Sequence, residues 1–291
     1  MSWRTVVIST RAKLDLQLDS MVVRGETTTK IHISEISILI IENTAVSLTA
    51  ALLSCLIRNK VKIIFCDEQR NPQSELCPYY GCHDSSAKVK AQMQWNEHFK
   101  GELWAVVVKE KINQQKYLLK KKELFSAAEK LGGYAGEVLH KDETNREGHA
   151  AKVYFNALFG REFTRADETP INAALNYGYS ILLSAINREI SANGYLTQLG
   201  IHHDNMFNHY NLACDLMEPL RPLVDNVVCQ MDLSEFDKNE KLKLIDILRD
   251  TVIIDCTEQY MNNAIKIYCR SVFEALNNED ISLVRFFRNE F

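Results

Sequence analysis

Three short segments in the second half of the chain carry side chains that could do chemistry. Residues 145–155 (NREGHAAKVYF) contain Glu147, residues 194–205 (GYLTQLGIHHDN) contain two adjacent histidines, and residues 215–223 (DLMEPLRPL) contain Glu218. Carboxylate oxygens and imidazole nitrogens are common ligands of divalent metals. The three segments are therefore candidates for one metal site, provided that the fold brings them together.

Each segment also has a purely structural interpretation. Glu147 would lie in the first turn of a helix capped by Asn145, where the helix dipole favours a carboxylate. A histidine in a loop is usually just exposed to solvent. Glu218 could pair with Arg221, three residues further along the same helical face. Gly148 argues against a purely structural role for Glu147. A residue without a side chain would let another helix or a DNA backbone come close to Glu147.

Familiar catalytic fingerprints are absent from the sequence. It contains no GxxxxGK[ST], no GxGxxG after a strand, no GxSxG and no HExxH motif, which removes the most easily recognised enzyme classes. Cys77, Cys82 and His83 lie close together, but their spacing matches no common zinc pair and a fourth ligand is missing. The eight scattered cysteines fit reduced thiols better than a disulfide scaffold.

The secondary structure predicted to position these residues changes from mostly strands to mostly helices along the chain. Strand-like apolar runs lie at residues 3–9, 14–23, 30–41 and 61–65. Residues 47–59 have helical spacing, with Ser47 as the expected N-cap. Amphipathic helical runs follow at residues 85–125, 148–159, 171–190 and 211–228.

Turn-forming residues between these two halves indicate a linker, and Pro219 and Pro222 predict that the helix kinks or restarts near Glu218. We therefore predict an α+β fold with a small N-terminal β-rich domain and a larger all-α helical domain. Its predicted parts are residues 1–68, a linker at 69–86, and residues 87–291.

Charge and hydropathy indicate where the protein is located and what it could bind. The opening residues lack a secretory signal pattern, and the most apolar region, residues 36–57, is broken by Glu42 and Asn43, so we expect a cytosolic protein that does not enter the membrane. The net charge is −4, yet residues 85–165 hold 15 lysines and arginines against 10 aspartates and glutamates. Such a segment is typical of a phosphate-facing surface, although a solvated helix with mixed charges has the same composition.

Together with residues 170–183 (PINAALNYGYSILL), the three segments resemble the CRISPR-associated protein 1 family. Their order and spacing, and the β-first, helical-second layout, agree with that family over nearly the whole chain. The stretches NREGHAAK and FGREFTR are most similar to its type II-A branch. One departure is Thr197, where the family often has proline, and this should change the stiffness of the loop rather than ligation.

The resemblance implies a catalytic metal site. Its ligands would be Glu147, Glu218 and, from the offset of three residues after Gly200, His203 rather than His202. Two carboxylates and one imidazole make a hard, open site that suits Mg²⁺ or Mn²⁺.

The resemblance also implies a reaction and partners. Short double-stranded DNA segments (prespacers) would be inserted into the CRISPR array when their 3′-hydroxyls attack phosphodiesters of the repeat. Arg146 and Lys152, close in sequence to the first glutamate, would contact this DNA. Implied partners are a second copy bound through the β-rich domain, a dimer of CRISPR-associated protein 2, and the RNA-guided nuclease and accessory adaptation protein of the type II-A branch.

Two alternatives remain open at this level. The same three ligands could serve a nuclease that only cuts branched or single-stranded DNA, with water as the nucleophile. The basic segment alone would also permit a scaffold that binds DNA without chemistry.

Overall fold

The computed structural model of the chain describes residues 4–76, 83–234 and 236–288. It divides after residue 81 into two compact units. The first unit is built from strands and one helix, and the second is mostly helical. The predicted fold class, a small β-rich part followed by a larger helical part, is therefore confirmed.

The first unit consists of two four-stranded sheets and a helix. Its elements are β1 Arg4–Ile8, β2 Lys13–Gln17, β3 Ser20–Arg24, β4 Thr28–His32, β5 Ile36–Ile41, β6 Ser47–Leu48, α1 Ala50–Arg58, β7 Lys62–Cys66 and β8 Pro72–Leu76. One sheet has the order β1-β5-β7-β8, in which β8 alone runs antiparallel to its neighbour. The other has the order β4-β3-β2-β6. Every residue of β5 is buried, as expected for a central parallel strand.

Two local predictions in this unit were wrong in detail. The apolar run at residues 30–41 contains two strands, β4 and β5, which belong to different sheets and are separated by the 3-10 turn Ile33–Glu35. Ser47 does not cap α1, because it pairs with Lys13 in β6. The cap is Thr49, whose side chain accepts a hydrogen bond from the backbone N–H of Leu52.

The stretch predicted to be a linker, residues 69–86, contains β8 and the start of α2. Pro72 lies at the first position of β8, which is an edge strand, and there a missing N–H costs no ladder hydrogen bond. Cys77 and Cys82, the two cysteines considered for zinc, lie outside the described residues.

The second unit is organised around two long helices, α3 and α6. Its helices are α2 Ser85–Met93, α3 Glu97–Lys121, α4 Phe125–Gly136, α5 Arg146–Phe159, α6 Pro170–Ala192, α7 Asn211–Met217, α8 Arg221–Val228, α9 Lys238–Asp246 and α10 Met261–Asn278. Helix α3 packs against α4, α5, α7 and α8, whereas α6 packs against α7 to α10. The segments that contain Glu147 and Glu218 therefore lie in or next to helices that contact α3.

The helical unit also contains a hairpin, which the all-α expectation missed. Strands β9 Thr251–Ile254 and β10 Thr257–Tyr260 pair antiparallel and pack on α10. Asp255 and Cys256 have φ angles of 52° and 59°, the left-handed pair that a tight two-residue turn requires. Within the described part of the chain, helices long and apolar enough to span a bilayer are absent.

Candidate active site

The first turn of α5 holds Glu147 in place through two side chains that precede it. The Asp142 carboxylate accepts hydrogen bonds from the backbone N–H groups of Arg146 and Glu147, both at 2.9 Å. Asn145, in the left-handed region with φ 51°, accepts from the N–H of Gly148 at 3.1 Å. The predicted Asn145 cap is therefore confirmed, and Asp142 supplies a second cap that the sequence analysis did not identify.

Gly148 has a local structural reason to be glycine. A Cβ at this position would lie 2.7 Å from Oδ1 of Asn145, so any side chain here would displace the capping amide. The close approach is therefore made by the capping amide.

The loop that carries His203 is organised by one buried carboxylate, Asp215 of α7, which is 0% exposed. Its Oδ1 accepts from the backbone N–H and from Nδ1 of His203, at 3.1 and 2.6 Å. Its Oδ2 accepts from the N–H groups of Ile201 and His202, at 2.6 and 3.0 Å. Because Nδ1 is used in this bond, Nε2 of the neutral His203 ring keeps its lone pair for a metal or a proton.

The adjacent histidine has a packing role. The ring of His202 stacks on Trp104 of α3, with 4.3 Å between centroids and 1° between planes. His203 meets the same indole edge-on at 5.6 Å. A Cβ at Gly200 would lie 2.3 Å from the carbonyl oxygen of His203, so the chain must turn tightly here.

Glu218 begins the 3-10 turn Glu218–Leu220, after which a new α-helix, α8, starts at Arg221; the predicted restart of the helix near Glu218 is therefore confirmed. The side chain is only 3% exposed. Its Oε1 accepts a hydrogen bond from Nε of Arg221 at 2.9 Å, so the ion pair considered as a structural alternative is present.

Lys111 of α3 joins the two glutamates. Its ammonium donates to Oε1 of Glu147 at 2.5 Å and also to Oε2 of Glu218. The lysine is 8% exposed and is surrounded on its helix by Val107, Val108 and Ile112, all buried. The structure thus brings the carboxylates of residues 147 and 218 to one cation.

The charges of this cluster reinforce one another. Burial alone would lower the pKa of Lys111, but the charges of Glu218 and Glu147 outweigh it and raise that pKa above its ordinary value. Burial opposes the charged form of Glu218 as well, yet Arg221 and Lys111 lower its pKa to about 2. The hydrogen bond to Asp215 raises the pKa of His203, and the charges of both glutamates act in the same direction.

The structure thus joins two of the three predicted ligands, Glu147 and Glu218, through Lys111, whereas His203 is held by Asp215. Over residues 4–76, 83–234 and 236–288, no three His, Cys, Asp or Glu side chains are arranged to hold a metal ion. The donor set itself fits a hard divalent cation: two carboxylates and an imidazole whose second nitrogen is held by Asp215. At present the Lys111 ammonium lies between the carboxylates.

Another buried carboxylate, that of Asp225, is connected to the cluster through Tyr179. Asp225 of α8 accepts from the hydroxyls of Tyr154 and Tyr179, at 2.8 and 2.5 Å. The guanidinium of Arg221 lies 4.6 Å from the centroid of the Tyr179 ring. Burial raises the pKa of Asp225 to about 6. Tyr179 thus connects this carboxylate to the arginine that holds Glu218.

The two residues expected to contact DNA lie on the same helix as Glu147. Nε of Arg146 is 3.2 Å from Oε2 of Glu137, and its guanidinium lies 5.9 Å from the centroid of the Tyr134 ring. Lys152 is exposed. Both remain predictions.

Sequence reasoning missed Lys111, Asp215 and Asp225 as parts of the site. A signal for Lys111 existed, because it occupies an apolar helical stripe in α3, where a charged residue must be paired. Asp215 lies in the same short segment as Glu218, but its bonds to the histidine loop depend on tertiary structure.

Comparison with known proteins places the chain in a family. The family model described as CRISPR associated protein Cas1 matches residues 5–241. A curated relative, the CRISPR-associated endonuclease Cas1 of Neisseria meningitidis serogroup C (strain 8013), is 39% identical over 233 residues, which are 79% of this chain and 76% of the relative.

Solved structures agree on the fold. A casposase bound to integration product aligns with a TM-score of 0.75 at 17% identity, covering 97% of this chain and 92% of that one. A Cas6-RT-Cas1–Cas2 complex aligns with a TM-score of 0.72 at 17% identity, covering 97% of this chain and 36% of that longer chain. These likenesses concern the fold alone. Because the family model matches well over half of its residues, the chain belongs to the CRISPR-associated Cas1 family.

Proposed function

We propose that this chain is a divalent-metal-dependent DNA integrase of CRISPR adaptation, which inserts short double-stranded DNA segments into the CRISPR array. Family membership and the name of the Neisseria relative support an enzyme of the endonuclease and integrase class. The observation that carries the finer proposal is that Glu147 and Glu218, from distant segments, meet at one cation. The charges of both glutamates also contribute to the raised pKa of His203.

The metal would be held by Glu147, Glu218 and Nε2 of His203, and Mg²⁺ and Mn²⁺ both suit such oxygen-rich ligands. When bound, a divalent cation supplies polarisation of a phosphoryl oxygen and activation of a hydroxyl or water for in-line attack.

The protein's own residues would prepare the site for this chemistry. Arg221 holds one oxygen of Glu218, and Asp215 fixes the ring of His203 through Nδ1. Both arrangements exist before any substrate arrives, so little reorganisation is needed during the reaction. Arg221 also keeps a positive charge beside Glu218, close to where a phosphodiester at the metal would develop negative charge.

The substrates would be a 3′-hydroxyl of the incoming DNA and a phosphodiester of the CRISPR repeat. Transesterification exchanges one phosphodiester for another, so positioning and charge stabilisation are the main requirements. Recognition would be mainly of phosphates, with Arg146 and Lys152 as contacts close to Glu147, and binding would weaken steeply with salt.

Partners follow from the family and its relatives. The name of the complex with a similar fold pairs a Cas1 protein with Cas2, which supports assembly with a Cas2 dimer. We further propose a homodimer formed through the β-rich unit and membership of the type II-A branch, on the stretches NREGHAAK and FGREFTR. That branch would add the RNA-guided nuclease and an accessory adaptation protein as partners in the cytoplasm.

A plasmid-joining assay with purified Cas2 partner and Mn²⁺ tests this function. Joined strands should form with metal and disappear with chelator. Glu147→Gln, His203→Ala and Glu218→Gln should each reduce joining by about 100-fold or more. Because the ligands act as a unit, the double variant of both glutamates should lose no more than either single variant. Glu129→Gln, at an exposed glutamate of α4, is the matched control.

Product analysis separates the alternatives. Fragments without joined strands would indicate a nuclease that uses water, as the word endonuclease in the relative's name allows. Full joining by Glu147→Gln would contradict the metal site and favour a DNA-binding scaffold.

A further inference from the structure

The charges around Glu147 and Glu218 are balanced without any metal. The two carboxylates face two cationic side chains, Lys111 and Arg221, at hydrogen-bonding distance. Arg221 bonds to Oε1 of Glu218, whereas Lys111 bonds to Oε2 and also reaches Glu147. Of these two cations, the lysine is therefore the one that bonds to both glutamates.

A divalent cation added to this arrangement would leave two excess positive charges in a buried cluster. Glu218 and Lys111 are 3% and 8% exposed, so water cannot screen that excess well. Moreover, Lys111 already bonds to one oxygen of each glutamate, and Arg221 bonds to the other oxygen of Glu218. Ammonium and metal thus compete for the same acceptors.

We propose that Lys111 is a resident counter-ion that holds Glu147 and Glu218 together without metal and must leave this position before a divalent cation binds. This inference rests on the proposed function, because it concerns the same two glutamates. Lysine suits such a part, since its ammonium is a point charge on a flexible stem, unlike the planar guanidinium of Arg221.

The charge balance of this cluster should also couple metal binding to DNA binding. Once displaced, the lysine still carries its charge, and the site becomes positive by two relative to the metal-free state. A DNA phosphate would offset part of this charge, so metal and DNA should each strengthen the binding of the other.

The test is Mn²⁺ binding, measured by calorimetry and by the shift of the thermal unfolding midpoint, with wild-type protein and Lys111→Met. Methionine keeps most of the length and none of the charge. Without metal, Lys111→Met should unfold at a lower temperature, because the two glutamates then repel each other. It should bind Mn²⁺ about tenfold or more tightly than wild type, and Mn²⁺ should raise its midpoint further.

The control is Lys241→Met. Lys241 is also 8% exposed, but its ammonium lies over the rings of Tyr177 and Phe236, at 5.2 and 5.5 Å. The Lys241→Met variant should bind Mn²⁺ with the same affinity as wild type. Lys111→Ala, purified in Mn²⁺, replaces Lys111→Met if the latter does not fold alone.

Equal Mn²⁺ affinity of wild type and Lys111→Met would overturn the inference while leaving the metal-dependent function intact. Tight binding that survives when Glu147→Gln is combined with Lys111→Met would overturn it too, since the ion would then lie elsewhere. If Lys111→Met gains affinity through Glu147 but wild type never joins strands, the inference stands and the integrase proposal fails.

Discussion

Replacing Asp215 by asparagine isolates the carboxylate that organises the histidine loop. The native group accepts four hydrogen bonds, two on each oxygen: the N–H and Nδ1 of His203 on Oδ1, and the N–H groups of Ile201 and His202 on Oδ2. Asparagine has the same shape but only one oxygen. Its NH₂ group must therefore face one of these two pairs of donors.

The magnitude follows from the number of donors that lose their acceptor. Two donors are left facing an amide NH₂, and at about 1–3 kcal/mol for each unsatisfied buried group the loss is roughly 2–6 kcal/mol. In a protein of this size that corresponds to a fall of about 5–15 °C in the unfolding midpoint. If the asparagine NH₂ group faces the N–H and Nδ1 of His203, the hydrogen bonds that orient the imidazole are lost. Metal affinity or strand joining should then fall by about 10- to 100-fold.

Thermal unfolding followed by circular dichroism, together with the plasmid-joining assay, measures both effects. Asp204→Asn, an exposed aspartate of the same loop, is the matched control and should change neither. If Asp215→Asn unfolded within about 0.5 kcal/mol of wild type and joined strands normally, the loop would not depend on this carboxylate, and our description of how His203 is held would be refuted.

Two further predictions concern the helices around the site. Burial raises the pKa of Asp225 to about 6, above its unfolded value, so the stability it contributes is complete at low pH and is lost as pH rises through about 6. Between about pH 5 and about pH 8, urea unfolding of wild type should therefore lose about 1 kcal/mol more stability than Asp225→Asn, and parallel profiles would contradict this. Gly148→Ala should displace the Asn145 amide, reduce stability by about 1 kcal/mol and impair joining through Glu147. Its control Gly133→Ala, where a Cβ meets nothing within 4 Å, should be neutral or stabilising; equal effects of the two substitutions would reject the cap explanation.

Hydrophobic periodicity was sufficient to predict most of the architecture but not its boundaries. Strand β1 and helices α5 and α6 lie within one or two residues of their predicted runs. Ser47 and Thr49 are both good caps, and only the pairing of β6 with β2, a tertiary contact, decides between them. The same applies to residues 30–41, where the two strands belong to different sheets.

The hairpin of β9 and β10 was missed for another reason. Its strands are only four residues each, and they lie among long helices, so a short β-branched run, Thr251–Ile254, was absorbed into the helical pattern. The two residues of its turn, Asp255 and Cys256, are not the asparagine and glycine that usually announce such a turn.

The candidate site was predictable only in part. Glu147, His203 and Glu218 each had an adequate structural explanation, and the resemblance to a family, rather than the chemistry of any one segment, singled them out. Contacts across the fold supply the rest. Lys111 reaches Glu147 over 36 positions of sequence and Glu218 over 107, a distance at which local patterns carry no information.

The central claim is that Glu147, His203 and Glu218 share one divalent cation. A crystal soaked in Mn²⁺ and measured at the manganese absorption edge tests it most directly. We expect one strong anomalous peak about 2 Å from a carboxylate oxygen of each glutamate and from Nε2 of His203, with the Lys111 ammonium moved away. A peak elsewhere, or a saturated crystal in which Lys111 still joins the two glutamates, would contradict the claim.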